Sequence, residues 1–285
     1  MKRYIACLLA VLLVLSFSIG VATATEPDIV HYLLLGFDFW GDEEIGVSYS
    51  DTNILASIDR TNGRLMVTSL LRDTYVEKPD GTWGRLNNVV RNDGFDVMVQ
   101  TVSRNYGVEV EYYLAIGVKG LRRVIDELGG IEVTITSSEA EKLQHVSGIR
   151  GAGTYTLNSS GVMHYMRLRK IAGHDFSRTE RQRKGLEEVL KRVQSMSLSE
   201  TLAVATVLFE EVETNITLQE LFRVVNDVFA LRDAPLETMY LPVKGGYENV
   251  KRHGMAVYEL DWDVNRAALQ AFLHGEYVEA EINAE

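Results

Sequence analysis

Two acids and a run of basic residues carry the chemistry this sequence could do. Asp38 follows the apolar Tyr32-Leu33-Leu34-Leu35 and Gly36, and Asp51 sits in Ser50-Asp51-Thr52 just before another apolar segment. Carboxylate oxygens at two strand ends, with retained waters, suit Mg²⁺ or Mn²⁺, ions that usually also bind substrate phosphates. Asp51 alone is also explained by capping a turn. Between Arg167 and Lys184 the basic residues are Arg167, Arg169, Lys170, Arg178, Arg181, Arg183 and Lys184, with only Asp175 and Glu180 as acids. Such an island is either a solvated helix face or a site for an anion. Its spacing favours the anion, because Ser177-Arg178-Thr179-Glu180 is a capping-box pattern that puts Ser177 at the N-cap and Glu180 at N3 of a helix running toward Val193. Arg178, Arg181 and Gln182 then share a face of the first turns. Backbone N–H groups, the positive end of the helix dipole and guanidinium forks converge there on phosphate oxygens. Arg72, in Arg72-Asp73-Thr74, ends a strand-like segment, where it meets a ligand or pairs with Asp73 or another acid.

The elements that position these residues read as follows. Segments rich in Val, Ile, Leu and Tyr at Ile29 to Leu35, Asn53 to Ile58, Arg64 to Leu71, Tyr112 to Val118 and Ile131 to Thr136, bounded by Gly, Asp or Asn, predict strands. Helical spacing of Phe95, Met98, Val99 and Val102, and of Leu121, Val124, Ile125 and Leu128 before Gly129-Gly130, predicts two helices between them. Further helical patterns run through Leu186 to Val193, Leu202 to Phe209 and Leu218 to Phe229. Strand-like Thr238 to Leu241 and Ala256 to Leu260 then precede a last helix over Val264 to Leu273. Strands alternating with helices predict an α/β sandwich around a mixed sheet. For the apolar residues of 202–229 periodicity alone does not separate the lining of a pocket from ordinary core, and core is the preferred reading. With no Ser/Pro/Gly-rich linker, residues 25–277 read as one domain, followed by an acidic tail over 278–285.

Composition limits the function classes. The 285 residues are 46% hydrophobic and 24% charged, with a formal charge of −11, which excludes coating of nucleic acid by bulk positive charge. Any anion site is therefore local. Residues 1–24 read as a secretory signal with a small-x-small pattern at Ala22-Thr23-Ala24, or as an uncleaved membrane anchor. Either reading exports the body of the protein. The one cysteine, Cys7, lies in that segment, so the rest of the chain has no disulfide, thiol nucleophile or Cys-ligated zinc. There is no G-x-x-x-x-G-K-[ST] loop, G-x-S-x-G elbow or H-E-x-x-H, and the 6 histidines show no ligand spacing.

Several blocks in register resemble the LytR-CpsA-Psr family of cell-wall glycopolymer ligases. They are Leu33-Leu34-Leu35-Gly36-Phe37-Asp38, Ser50-Asp51-Thr52-Asn53-Ile54-Leu55, Ser69-Leu70-Leu71-Arg72-Asp73-Thr74-Tyr75-Val76, Arg85-Leu86-Asn87, Asp126-Glu127-Leu128-Gly129-Gly130-Ile131-Glu132-Val133, Tyr165-Met166-Arg167-Leu168-Arg169 and Asp175-Phe176-Ser177-Arg178-Thr179-Glu180-Arg181-Gln182. The resemblance implies an αβα-type sandwich with a deep apolar pocket for a polyprenyl chain and a charged mouth for its pyrophosphate. It implies transfer of a glycopolymer, teichoic acid or capsule, from a polyprenyl-pyrophosphate carrier to a peptidoglycan hydroxyl, at the outer face of the cytoplasmic membrane. By position, Asp38 and Asp51 would hold Mg²⁺. Arg72, Arg85, Asn87, Arg167, Arg169, Arg178, Arg181 and Gln182 would surround the pyrophosphate. Arg72 and Arg167 would act in the transition state, and Asp175 would orient an arginine or take the hydroxyl proton. Two positions depart from the pattern: Phe39-Trp40 follows Asp38, and Tyr49 stands where an Arg is common. These aromatics read as packing residues in preference to sugar-stacking ones. Carrier hydrolysis, lipid binding without transfer, and a membrane-associated regulator are the competing readings.

Overall fold

The structure is a computed structural model that describes residues 29–38, 45, 48–146, 148–168 and 174–277, and side chains throughout these except at 174–180, 182 and 183. The N-terminal segment, Phe39-Trp40, Arg169 and the acidic tail lie outside the described residues, as do the side chains of Asp175, Arg178 and Gln182.

The strands are β1 (Ile29–Phe37), β2 (Ser50–Asp59), β3 (Arg64–Leu70), β4 (Tyr75–Glu77), β5 (Trp83–Arg85), β6 (Val110–Gly117), β7 (Ile131–Ile135), β8 (Gly153–Leu157), β9 (Val212–Thr214), β10 (Leu236–Leu241), β11 (Tyr247–Arg252) and β12 (Met255–Leu260). The helices are α1 (Val89–Asp93), α2 (Phe95–Tyr106), α3 (Val118–Glu127), α4 (Ser137–Lys142), α5 (Ser159–Met166), α6 (His174–Gln194), α7 (Leu198–Glu211), α8 (Leu218–Ala230) and α9 (Trp262–Leu273), with a 3₁₀ turn at Leu86–Asn88. Six strands form the central sheet in the order β10-β3-β2-β1-β6-β9. It is mixed: β1 runs parallel to β6 and β10 parallel to β3, and the other neighbours are antiparallel.

Strand alternation builds the three layers, because successive side chains leave opposite faces of a sheet. On one face Leu33, Leu35, Phe37 and Leu55 pack with Met98, Val102 and Tyr106 of α2 and Leu269 and Phe272 of α9. On the other, Tyr32 and Ile58 pack with Ala205 of α7 and Leu221 and Val225 of α8. A third cluster joins α3, α5 and the β7–β8 hairpin through Ile125, Val133 and Val162. Five of the helices start at a side-chain cap. Thr136 and Ser197 close capping boxes with Glu139 and Glu200, while Asn158, Thr217 and Asp261 cap α5, α8 and α9. Caps of this kind each contribute about 1 kcal/mol.

One expectation is corrected here. The helix of the basic island begins at His174, so Ser177 lies inside it and is not its N-cap. No glycine or proline separates His174 from Ser177, and nothing in the chain stops the helix short of Gly173. The strand at Ile131 belongs to a separate hairpin with β8 and not to the central sheet. Among the described residues no helix is long and apolar enough to cross a membrane.

Candidate active site

Since β1 and β3 both run antiparallel to β2, the end of β1, the end of β3 and the start of β2 lie at one edge of the sheet. Asp38, Arg72 and Asp51 are thereby brought together. Asp51 owes its aim to a bulge: Gly36 pairs with Thr52 and Phe37 with Ser50, so the register skips Asp51. Gly36 is needed at this point because a Cβ there would stand 2.9 Å from the Thr52 Cβ.

Arg72 is held between two carboxylates. Its Nη1 donates to Asp51 Oδ1 at 2.5 Å and its Nε to Asp73 Oδ2 at 3.2 Å. Asp73 Oδ1 accepts from Arg85 Nη1 at 2.9 Å. The β4–β5 hairpin delivers Arg85 by pairing it with Tyr75, just beyond Asp73. The following turn docks on the same loop, with Asn87 N donating to the Arg72 carbonyl at 3.0 Å. Asn87 is buried, and its Oδ1 has no hydrogen-bond partner among the described residues. Arg167, at the end of α5, makes an ion pair with Asp38. Two guanidinium–carboxylate sets therefore line the mouth, and Arg72, Arg85, Asp73 and Asp51 are each partly or largely shielded from water.

Arg181 is placed differently from the expectation. It is 4% exposed, with Nη2 donating to the Leu168 carbonyl at 3.1 Å and Nη1 3.7 Å from Glu139 Oε1. Its guanidinium is directed at protein groups and braces the stretch that carries Arg167, so it is not one of the solvent-facing groups of the mouth. Tyr49 is not packed either. It is 40% exposed, and the Arg91 guanidinium lies 4.7 Å from its ring centroid, a cation–π contact that puts a cation beside the position where the resemblance expects an arginine. His164, one turn before Arg167, is held below the ordinary imidazole range, first by desolvation and then by the positive fields of His145, Arg167 and Arg122.

The donor set can be tested for a divalent cation. Among the described residues no group of three or more His, Cys, Asp or Glu could hold a metal ion. Asp51 borders a dimple of about 10 Å³ lined also by Thr52, Asn53, Ser69 and Arg72, room for one water-sized centre. Ser69 Oγ and Asn53 Oδ1 are buried without a hydrogen-bond partner among the described residues. Oxygen donors with one or two carboxylates and an incomplete protein cage fit Mg²⁺, which completes its shell with water and substrate phosphate.

Beneath the mouth, between the sheet and α3, α5, α6, α7 and α8, lies an apolar cavity of about 350 Å³. Even-numbered residues of β1 and β2 form its floor plate, including Leu34, Gly36, Ile54 and Ala56, and Thr52 and Ile54 border both the dimple and the cavity. Val204, Ala205 and Leu208 of α7 and Leu221, Val224 and Val225 of α8 are cavity wall, which corrects the reading of 202–229 as ordinary core. Periodicity shows that a helix has an apolar face; it does not show whether that face meets side chains or a void.

The LytR_cpsA_psr family model matches residues 17–271. The chain belongs to this family. Among its relatives, the polyisoprenyl-teichoic acid–peptidoglycan teichoic acid transferase TagU of Enterococcus faecalis is 27% identical over 198 residues, 68% of this chain and 64% of that protein. The match thus spans just under two thirds of that relative's length. The regulatory protein MsrR of Staphylococcus aureus is 24% identical over 249 residues, 86% of this chain and 74% of that one. The fold is that of the solved family protein YwtF (TagT) with bound octaprenyl pyrophosphate lipid, with a TM-score of 0.66 at 20% identity over 89% of this chain and 95% of that one.

Proposed function

We propose that this chain transfers a glycopolymer from a polyprenyl-pyrophosphate carrier to a peptidoglycan hydroxyl, outside the cytoplasmic membrane, leaving a phosphodiester. The observation that carries the reading is the shared wall at Thr52 and Ile54 between a cavity suited to hydrocarbon and a mouth suited to phosphate. Names among the relatives support it, since TagU is called a teichoic acid transferase and YwtF is described with octaprenyl pyrophosphate bound.

In this mechanism the prenyl chain enters the cavity and the pyrophosphate meets Arg72, Arg85 and Arg167, whose charge is permanent. Arg72 exchanges its Asp51 partner for a phosphate oxygen, and Arg167 exchanges Asp38 in the same way, which leaves both carboxylates to hold Mg²⁺. When bound, the ion would neutralise phosphate oxygens as charge develops. The acceptor oxygen attacks the polymer-linked phosphorus, the new P–O bond forms, and the bridging P–O bond breaks to release polyprenyl phosphate. The hydroxyl proton passes to a carboxylate, for which the resemblance points to Asp175. No covalent enzyme intermediate is needed.

The test is a mass-spectrometric assay with the purified chain, Mg²⁺, a short-chain polyprenyl-pyrophosphate saccharide and soluble peptidoglycan oligomers. A phosphodiester-linked adduct with equimolar polyprenyl phosphate is expected. Saccharide phosphate without adduct would show hydrolysis in place of transfer, and binding without consumption would reduce the chain to a lipid-binding module.

A further inference from the structure

The β4–β5 hairpin that delivers Arg85 also carries an aromatic side chain for which the mouth has no use. Arg85 pairs with Tyr75, and Trp83 with Glu77. Residues opposite one another in an antiparallel pair share a face, as do residues two apart on one strand. Tyr75, Glu77, Trp83 and Arg85 therefore point the same way, and Val76 points the other way, fully buried in the core. The Trp83 indole stacks on the Tyr75 ring, with centroids 5.4 Å and planes 30° apart. Tyr75 is buried beneath it, whereas Trp83 is 45% exposed, and no other Phe, Tyr or Trp among the described residues leaves as large a share of its surface to water. Glu77 lies beside this ring, its Oε1 accepting from Arg104 Nη2 at 3.1 Å.

The direction of attack decides what such a ring would meet. Asn105 of α2 ties β4 down, donating to the Glu77 carbonyl at 2.7 Å and accepting from Glu77 N at 3.1 Å, so the hairpin sits on the α2 side of the sheet. The cavity lies on the opposite side, under α3 and α5 to α8. In an in-line displacement the attacking and leaving oxygens stand on opposite sides of the phosphorus. A carrier whose prenyl chain occupies the cavity leaves toward the cavity, and the acceptor hydroxyl then arrives from the α2 side. Trp83 stands there, two positions and roughly 7 Å of strand from Arg85. Resting on the carrier reading above, we propose that Trp83, backed by Tyr75, is the platform on which a pyranose ring of the acceptor glycan packs. The C–H face of such a ring suits a broad apolar surface whose π face is negative. Its hydroxyls find charged hydrogen-bond partners in Glu77 and Arg104 at the edge of the platform.

The test is transfer kinetics with acceptor and donor varied in turn, soluble peptidoglycan oligomers against a short-chain polyprenyl-pyrophosphate saccharide. Trp83→Ala should raise KM for the oligomers about tenfold, as expected for the loss of one well-packed aromatic contact. Its KM for the donor should stay within about twofold of wild type, which also shows that the variant is folded. Trp83→Phe keeps a ring and should recover most of the acceptor affinity. An acceptor KM unchanged in Trp83→Ala, or a donor KM that rises as much, would overturn the proposal and leave the carrier reading standing. If the wild type transferred nothing, the carrier reading would fall, and titration of tryptophan fluorescence with the oligomers would judge Trp83 by itself. Saturable quenching that Trp83→Phe abolishes supports the platform; quenching that is absent, or that survives the substitution, overturns it.

Discussion

Arg72 stands between Asp51 and Asp73, and its carbonyl accepts from Asn87 N. A charge that acts mainly in the transition state should lower kcat when removed, and Arg72→Ala is expected to reduce turnover by at least about 10² with a smaller change in KM. Wild-type turnover in that variant would take Arg72 out of the site. Loss of a direct metal ligand costs more than the ~10–100-fold that supporting residues cost. Asp51→Asn should accordingly raise the Mg²⁺ concentration for half-maximal activity by more than tenfold, and EDTA should abolish turnover of the wild type; unchanged Mg²⁺ dependence would remove Asp51 as a ligand. The sequence shows Arg72, Asp38 and Asp51 as candidates because each sits at a strand end beside small or polar residues. Of their partners only Asp73, next to Arg72, is legible there. Arg167 meets Asp38 across 129 positions, and Arg181 turns inward onto Leu168 and Glu139, choices made by tertiary packing.

At the scale of elements, alternation and helical spacing locate most of the central strands and the long helices, since burial on one side imposes those periods. The β4–β5 hairpin escapes that reading because three-residue strands are too short to show a period, although Arg85 depends on it. The start of α6 escapes it because a capping-box sequence fits inside a helix as well as at its end. Within β1, His31 is 8% exposed, and its Nδ1 lies 2.8 Å from Ser57 Oγ. Burial pushes its imidazole down to about 4. Between pH 6.5 and 4 the unfolded chain therefore holds a proton that the folded chain refuses, and stability should fall by roughly 1.4 kcal/mol per pH unit as pH drops through that window. Urea denaturation of wild type and His31→Asn at pH 7 and pH 5 checks this, the variant losing less stability on acidification. Equal losses would show that His31 titrates normally.

For the molecule as a whole, the fold's contribution is to set a polar edge over an apolar void. Three layers leave the sheet covered on both faces, but α6, α7 and α8 stand off from β1 and β2 enough to keep about 350 Å³ open. A void of that size costs stability through lost contacts. A bound prenyl chain would restore those contacts, so a prenyl pyrophosphate should raise the Tm, and inorganic pyrophosphate at the same concentration should raise it less. A larger shift with pyrophosphate alone would separate the cavity from binding. In the sequence only the family resemblance implies the void; patterning does not show it, because the residues that line it are the same types, at the same spacing, as those that fill a core.

The most direct measurement is a crystal structure of the chain with a polyprenyl pyrophosphate. One molecule is expected to occupy both features, with the pyrophosphate within hydrogen-bond distance of Arg72 and Arg85 and the prenyl chain between β1–β2 and α6–α8. A chain lying outside the cavity, or a pyrophosphate held away from Arg72, would contradict it.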